Sequence, residues 1–378
     1  MSGIEISAAF DGGNIEVMED HGQIGGLARW DLRIRPDNAS DFFQWFHFRV
    51  TGAKGVALEL RILNAGDAAY PKGWEDYGVC VSSDRRTWRR SPTTYADGVL
   101  TLSLTPHTNS VWLAYFAPYS HERHLDFVAR VGSDPRVEYR KLGETVEGRS
   151  LDCLSVGKGP RHVWVIARQH PGETMAEWWM EGFADILLGD SRAAGDALDL
   201  MRFHIVPNMN PDGAALGNLR TNAAGANLNR EWNVATRERS PEVLCVRSAM
   251  KAEPPELCLD VHGDEALPYN FIAACEGVPS FDADIRAQLD LFLAAFTAAT
   301  KHFQTQVGYP VTPPGQGNLA MCTNYVAETH KCLAMTLEMP FKDDANHPDP
   351  EKGWSPERAA QLGRDTLLPM IAWAKSRG

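Results

Sequence analysis

Two rhythms of apolar and polar positions divide the chain. Up to about Ser133 the apolar residues come in short runs, alternating or rich in aromatic and β-branched types: Phe43-Gln44-Trp45-Phe46-His47-Phe48-Arg49-Val50, Val56-Ala57-Leu58-Glu59-Leu60-Arg61-Ile62 and Val99-Leu100-Thr101-Leu102-Ser103-Leu104. Turn-formers at Gly52, Pro71, Ser82-Ser83-Asp84 and Ala96-Asp97-Gly98 punctuate them. This pattern predicts an antiparallel β-sandwich over residues 1–133, with its Trp and Tyr residues mainly in the core. Gly132-Ser133-Asp134-Pro135 reads as the linker. After it, apolar strands alternate with stretches whose apolar residues recur three or four apart, predicting helices over Met175 to Leu188, Pro241 to Lys251, Phe281 to Lys301 and Ser355 to Lys375. Ser355-Pro356 is a strong helix start, a Ser cap before a Pro in the first turn. Residues 134–378 therefore read as an α/β domain built on a mostly parallel sheet.

Length supports the division, since 378 residues exceed what one core usually organises. Apolar content of 44% and charged content of 23% exclude a mostly disordered or fibrous chain. The net charge of -12, with no concentrated basic face, argues against nucleic acid or an anionic membrane as partner. Seven scattered cysteines without C-x-x-C spacing read as reduced core residues of a cytoplasmic protein. The first residues lack the basic and apolar regions of a secretion signal, and no apolar run is long enough to span a bilayer.

The chemistry lies just beyond the apolar runs, where open α/β sheets place their ligands. Residues 162–167 lead into Arg168-Gln169-His170-Pro171-Gly172-Glu173. Phe203-His204-Ile205-Val206-Pro207 leads into Asn208-Met209-Asn210-Pro211-Asp212-Gly213, Leu257-Cys258-Leu259 into Asp260-Val261-His262, and residues 332–337 into Glu338. His170, Glu173 and His262 would form a His₂Glu zinc set with a fourth position open to water. Glu338, delivered by an apolar strand, needs a proton, a hydrogen bond or a cation nearby; as a general base it would deprotonate a metal-activated water. Between these ends, residues 217–232 bring Arg220 and Arg230 among several asparagines, a loop suited to a carboxylate or an oxyanion.

This ordered set, H-x-x-E, Asn-Pro-Asp-Gly, a following Arg, Asn-Arg, a strand-end His and a late Glu, resembles the zinc metallocarboxypeptidases. With residues 43–48 in the preceding β-domain, the chain looks most like the cytosolic carboxypeptidases, which include tubulin deglutamylases. The resemblance implies a mixed, mostly parallel sheet flanked by helices, one zinc ion on His170, Glu173 and His262, and a peptide or protein C-terminus as substrate. It implies that Arg220 polarises the scissile carbonyl, that Asn229 and Arg230 grip the terminal carboxylate, and that Glu338 is the base that later protonates the leaving amine. Three positions depart from the family's pattern or leave it open. Asn227 stands where an Asp often orients a zinc-binding His. Tyr309 and Tyr325 both fit the substrate-contacting tyrosine. Thr323 replaces the Arg that receives an acidic side chain in deglutamylating relatives. The expected activity is a zinc carboxypeptidase, with an acidic residue as the leaving group to examine. The alternatives are a zinc amidase or deacylase acting on a small carboxylated amide, and a non-catalytic carboxylate-binding module.

Overall fold

The computed structural model describes residues 3–378. Ten of its strands lie ahead of residue 115: β1 (Glu5–Ser7), β2 (Glu16–Ile24), β3 (Leu27–Arg33), β4 (His47–Thr51), β5 (Ala57–Ile62), β6 (Val79–Ser82), β7 (Arg89–Ser91), β8 (Thr93–Ala96), β9 (Val99–Leu104) and β10 (Ser110–Ala114). They make two five-stranded sheets, β1-β4-β10-β6-β7 and β2-β3-β5-β9-β8. Alternation explains the burial. Leu58, Leu60 and Ile62 on β5 and Leu100 and Leu102 on β9 face inward, as do Phe48 and Val50 on β4. Pairing is antiparallel as expected, except that β3 and β5 run parallel.

The sandwich ends at β10, and a helix, His121–Gly132, follows within the stretch read as β. Ser120 caps it, its side chain accepting from the Arg123 N–H at 3.2 Å. The Gly132 to Pro135 segment is a turn from this helix into the second sheet, closed by the Val137 N–H on the Asp134 carbonyl at 2.9 Å.

The second sheet comprises β11 (Glu138–Glu144), β12 (Ser150–Val156), β13 (Arg161–Ala167), β14 (Met201–Val206), β15 (Leu257–Val261), β16 (Phe271–Ala274) and β17 (Leu333–Glu338). Their order is β11-β12-β14-β13-β15-β17-β16. The four central strands β14, β13, β15 and β17 are parallel, and the strands outside them are antiparallel. Val163 to Ala167 and Leu333 to Leu337 are almost wholly buried, as central strands covered on both faces require. Helices Met175–Leu187, Pro241–Ala252 and Ala283–Ala299 form close to their expected bounds. The stretch from Ser355 to Lys375 is two helices rather than one, Pro356–Asp365 and Leu367–Ser376. Pro369 has no N–H to offer the Asp365 carbonyl four residues back, and the Thr366 hydroxyl turns back onto the Leu362 carbonyl at 2.7 Å. Because β14, β13, β15 and β17 are parallel neighbours, all four chemistry-bearing strand ends fall on one edge of the sheet.

Candidate active site

The turn after β13 is held in an unusual conformation. Arg168 has φ of 57°, a left-handed value uncommon for a residue with a side chain. Its buried guanidinium compensates, donating to the carbonyls of Pro171 at 3.0 Å and Tyr119 at 2.8 Å and ion-pairing with Glu177. The bend turns the next residues back across the sheet edge, so that His170 and Glu173 converge ahead of the helix Met175–Leu187.

His170 Nδ1 lies 2.6 Å from Glu173 Oε1, His262 Nδ1 lies 2.7 Å from Glu173 Oε2, and the two Nδ1 atoms are 3.2 Å apart. Each ring's outer nitrogen has its own acceptor: His170 Nε2 faces Asn227 Oδ1 at 3.1 Å, and His262 Nε2 faces Asp260 Oδ2 at 2.9 Å. Protons assigned to those outer nitrogens leave the inner Nδ1 lone pairs pointing at a buried carboxylate. A cation at the centre would satisfy that arrangement. The donor set, two neutral imidazoles and a carboxylate with their outer partners in place, fits zinc. Burial, reinforced by Arg220, lowers the His170 pKa to about 3. At His262 the effect of burial is outweighed by Asp260 and Glu173, which hold the ring well above its ordinary value. Burial of Glu173 is likewise outweighed by the two imidazoles, which keep its carboxyl below the usual range.

A cavity of about 400 Å³ opens onto this centre, with His170, Glu173, Arg220, Asn229, Arg230, Tyr309 and Glu338 on its walls. Glu338, 7% exposed, closes one side, and its Oε2 is buried without a partner. Burial, together with Glu173, Asp264 and Glu265, raises its carboxyl well above the usual range against the pull of His262. Glu265, buried beside Glu173, is pushed up to about 8 by burial first and that neighbour second. Four carboxyl groups thus crowd one cavity, and mutual repulsion with burial pushes Glu338 and Glu265 toward their protonated forms. Tyr309 donates to Asp264 Oδ2 at 2.5 Å and reaches to 3.4 Å from Glu338 Oε1. Asn229 accepts the Cys322 N–H at 2.8 Å through Oδ1, while Arg230 Nη1 donates to the Asn229 carbonyl at 2.6 Å. Thr323 lies in an adjoining cavity that shares Tyr309 and Met321 with the first; its hydroxyl pairs with that of Thr336 at 2.7 Å. Tyr325 is not brought to the site. It packs against Trp232, with Arg247 over its ring at 4.6 Å.

Sequence reasoning missed several residues here. Asp260 carried a signal, since an acid two positions before His262 on an apolar strand shares its face. Gln169 supports Asp260, donating through Nε2 at 2.6 Å and accepting the Trp232 indole N–H at 2.8 Å through Oε1. Tyr70, which comes from the β-domain and lines the cavity, had no local signal.

Two family models match the chain. Residues 6–116 match the family model described as cytosolic carboxypeptidase N-terminal domain, and residues 126–359 match zinc carboxypeptidase. A metallo-carboxypeptidase from Burkholderia cenocepacia is 44% identical, with a TM-score of 0.95, 99% of this chain and 100% of that one being covered. One from Pseudomonas aeruginosa, solved in complex with (2-guanidinoethylmercapto)succinic acid, is 43% identical with a TM-score of 0.93, covering 97% and 98%. Cytosolic carboxypeptidase 3 of Bos taurus is 26% identical over 71% of this chain, which spans only 30% of that longer protein. Fold, donor set and matched regions agree: this chain belongs to the zinc carboxypeptidase family, in its cytosolic carboxypeptidase branch, and is a metallocarboxypeptidase.

Proposed function

We propose that His170, Glu173 and His262 hold one zinc ion per chain and that the cavity beside it removes the C-terminal residue of a peptide or protein. The observation that carries this reading is the convergence of the two Nδ1 atoms and the Glu173 carboxylate next to Glu338, whose Oε2 has no partner. When bound, the ion supplies Lewis acidity to water and to the scissile carbonyl. The chain's own residues do the rest. Glu338 Oε2 takes a proton from water and passes it to the leaving amine. Arg220, whose guanidinium faces the rings of Phe42 and Tyr70 rather than a carboxylate, stabilises charge on the carbonyl oxygen. Arg230 and Asn229 grip the terminal α-carboxylate, which restricts cleavage to chain ends, and Tyr309 closes over the leaving residue.

The acidic preference draws its support from the resemblance to deglutamylases. The adjoining cavity is lined by Ile272, Leu293, Thr323 and Thr336, with Glu276 as its charged member and no Lys or Arg among the described residues. The test therefore sets C-terminal glutamate against neutral residues. A cytoplasmic setting is part of the proposal, supported by seven unpaired cysteines and by the cytosolic name of the relatives.

Incubating the zinc-loaded protein with peptides that differ only in the last residue, followed by mass spectrometry, tests the reading. Single-residue release should be abolished by chelation and by C-terminal amidation, and lowered about 10²- to 10⁴-fold in Glu338→Gln. Unchanged release from amidated peptides would exclude the carboxylate grip and favour an amidase.

A further inference from the structure

The β-domain meets the catalytic domain in several places, among them Arg90 on the carbonyls of Phe341 and Trp354 and Asn14 on that of Gly217; one of them is the loop that carries Arg220. Asp37 is 3% exposed and lies at the centre of that contact. Its Oδ1 accepts the Leu219 N–H at 2.6 Å; its Oδ2 accepts the N–H groups of Arg220 at 2.8 Å and Thr221 at 2.9 Å and the Thr221 hydroxyl at 3.2 Å. One carboxylate thus fixes three successive peptide units, with Arg220 in the middle. The loop that presents Asp37 closes on itself, the Asp37 N–H donating to the Phe42 carbonyl at 2.7 Å.

The Arg220 side chain is treated differently from its backbone. Its guanidinium carbon stands 5.7 Å from the Phe42 ring and 5.3 Å from the Tyr70 ring, both of them β-domain residues. Tyr70 is placed in turn by Gln44, which is fully buried: Oε1 accepts the Tyr70 N–H at 2.8 Å, and Nε2 donates to the Tyr70 carbonyl at 3.0 Å. The choice of aromatic rings matters physically. A carboxylate partner would orient the guanidinium but would occupy its N–H donors and neutralise its charge. Ring faces attract the cation and leave every donor free for the cavity.

We propose that the β-domain forms the seat of the catalytic guanidinium, with Asp37, Phe42 and Tyr70 as positioning residues for Arg220. This rests on the role given to Arg220 above. It also gives a purpose to the Gln44-containing run that marks the β-domain in the sequence.

The test is a double-variant cycle on the full-length, zinc-loaded protein, using Phe42→Leu/Tyr70→Leu together, Asp37→Asn, and each combined with Arg220→Ala. Phe42 is exposed and Tyr70 half-buried, so the leucine pair should keep the fold even where Asp37→Asn loosens it. Two readouts are taken: kcat and KM on a C-terminal peptide, and the calorimetric Kd of (2-guanidinoethylmercapto)succinic acid. Bound zinc should remain at the wild-type level. The leucine pair should lower kcat about tenfold or more with KM little changed, weaken the probe, and add nothing further in the Arg220→Ala background. Wild-type kcat and probe affinity in the leucine pair, or losses that multiply with Arg220→Ala, would overturn the proposal. If the wild-type protein releases no residue from any peptide, the peptidase reading falls, and the probe cycle decides the seat on its own.

Discussion

At the scale of the residue, the partners behind the metal-facing groups set the character of the centre. His262 is backed by the Asp260 carboxylate but His170 only by the Asn227 amide, so the two imidazoles differ in basicity. Asn227→Asp would replace a neutral acceptor with a charged one at the same 3.1 Å contact. Zinc affinity, measured by competition with a chelator, should rise about tenfold. An unchanged affinity would mean that the Asn229 N–H, which shares Asn227 Oδ1 at 3.1 Å, already determines how that oxygen acts. The metal-facing residues and Glu338 were legible because each lies at or just beyond the end of an apolar run. Tyr309 and Tyr325 could not be separated that way. Their difference is where the loop and the helix Cys322–His330 carry them: the first over Asp264, the second against Trp232.

At the scale of the element, the helix His121–Gly132 shows why some structure escapes a pattern reading. Its buried face is only His124, Phe127 and Val131, one of them polar, so it offers few apolar positions to read. His124 is nevertheless its anchor, with Nδ1 2.8 Å from Glu177 and Nε2 3.1 Å from Asp152 on β12. Burial alone would depress this imidazole, but Asp152 and Glu177 outweigh it and raise its pKa to about 9. A group raised on folding contributes stability that is complete below its unfolded value, near 6.5, and is lost as pH climbs through 9. The full contribution is on the order of 3 kcal/mol. Denaturant unfolding of the zinc-loaded protein should therefore show stability falling between these pH values. In His124→Gln it should start lower and the slope should flatten. An equal slope in the variant would assign the pH dependence to other groups. The sheet itself was easier to foresee, because buried parallel strands such as residues 163–167 are apolar on both faces. The break at Thr366 was not, since Pro369 interrupts the backbone ladder without disturbing the apolar spacing.

At the scale of the whole molecule, charge and domain contact govern what the site meets. A net charge of -12 surrounds a cavity whose walls carry four carboxyl groups and two arginines. Peptides with acidic tails should be repelled at long range and those with basic tails drawn in. Raising ionic strength from about 20 to about 200 mM, which shortens the screening length severalfold, should lower KM for the former and raise it for the latter. Equal salt responses would show that only the last residues are sensed. The change from short strands to alternating strands and helices was legible in the rhythm; the contact between the two parts was not, because Asp37 and Leu219 are remote in sequence and no period links them.

The Asp37 staple also has a consequence in time. Asp37 precedes Glu338 by most of the chain, and the loop it clasps lies between them. A nascent polypeptide therefore carries no finished cutting edge while it is being made. The hydrolytic centre is complete only once Glu338 on β17 has joined His170, Glu173 and His262, and the seat proposed for Arg220 only once the Asp37 loop has met residues 219–221.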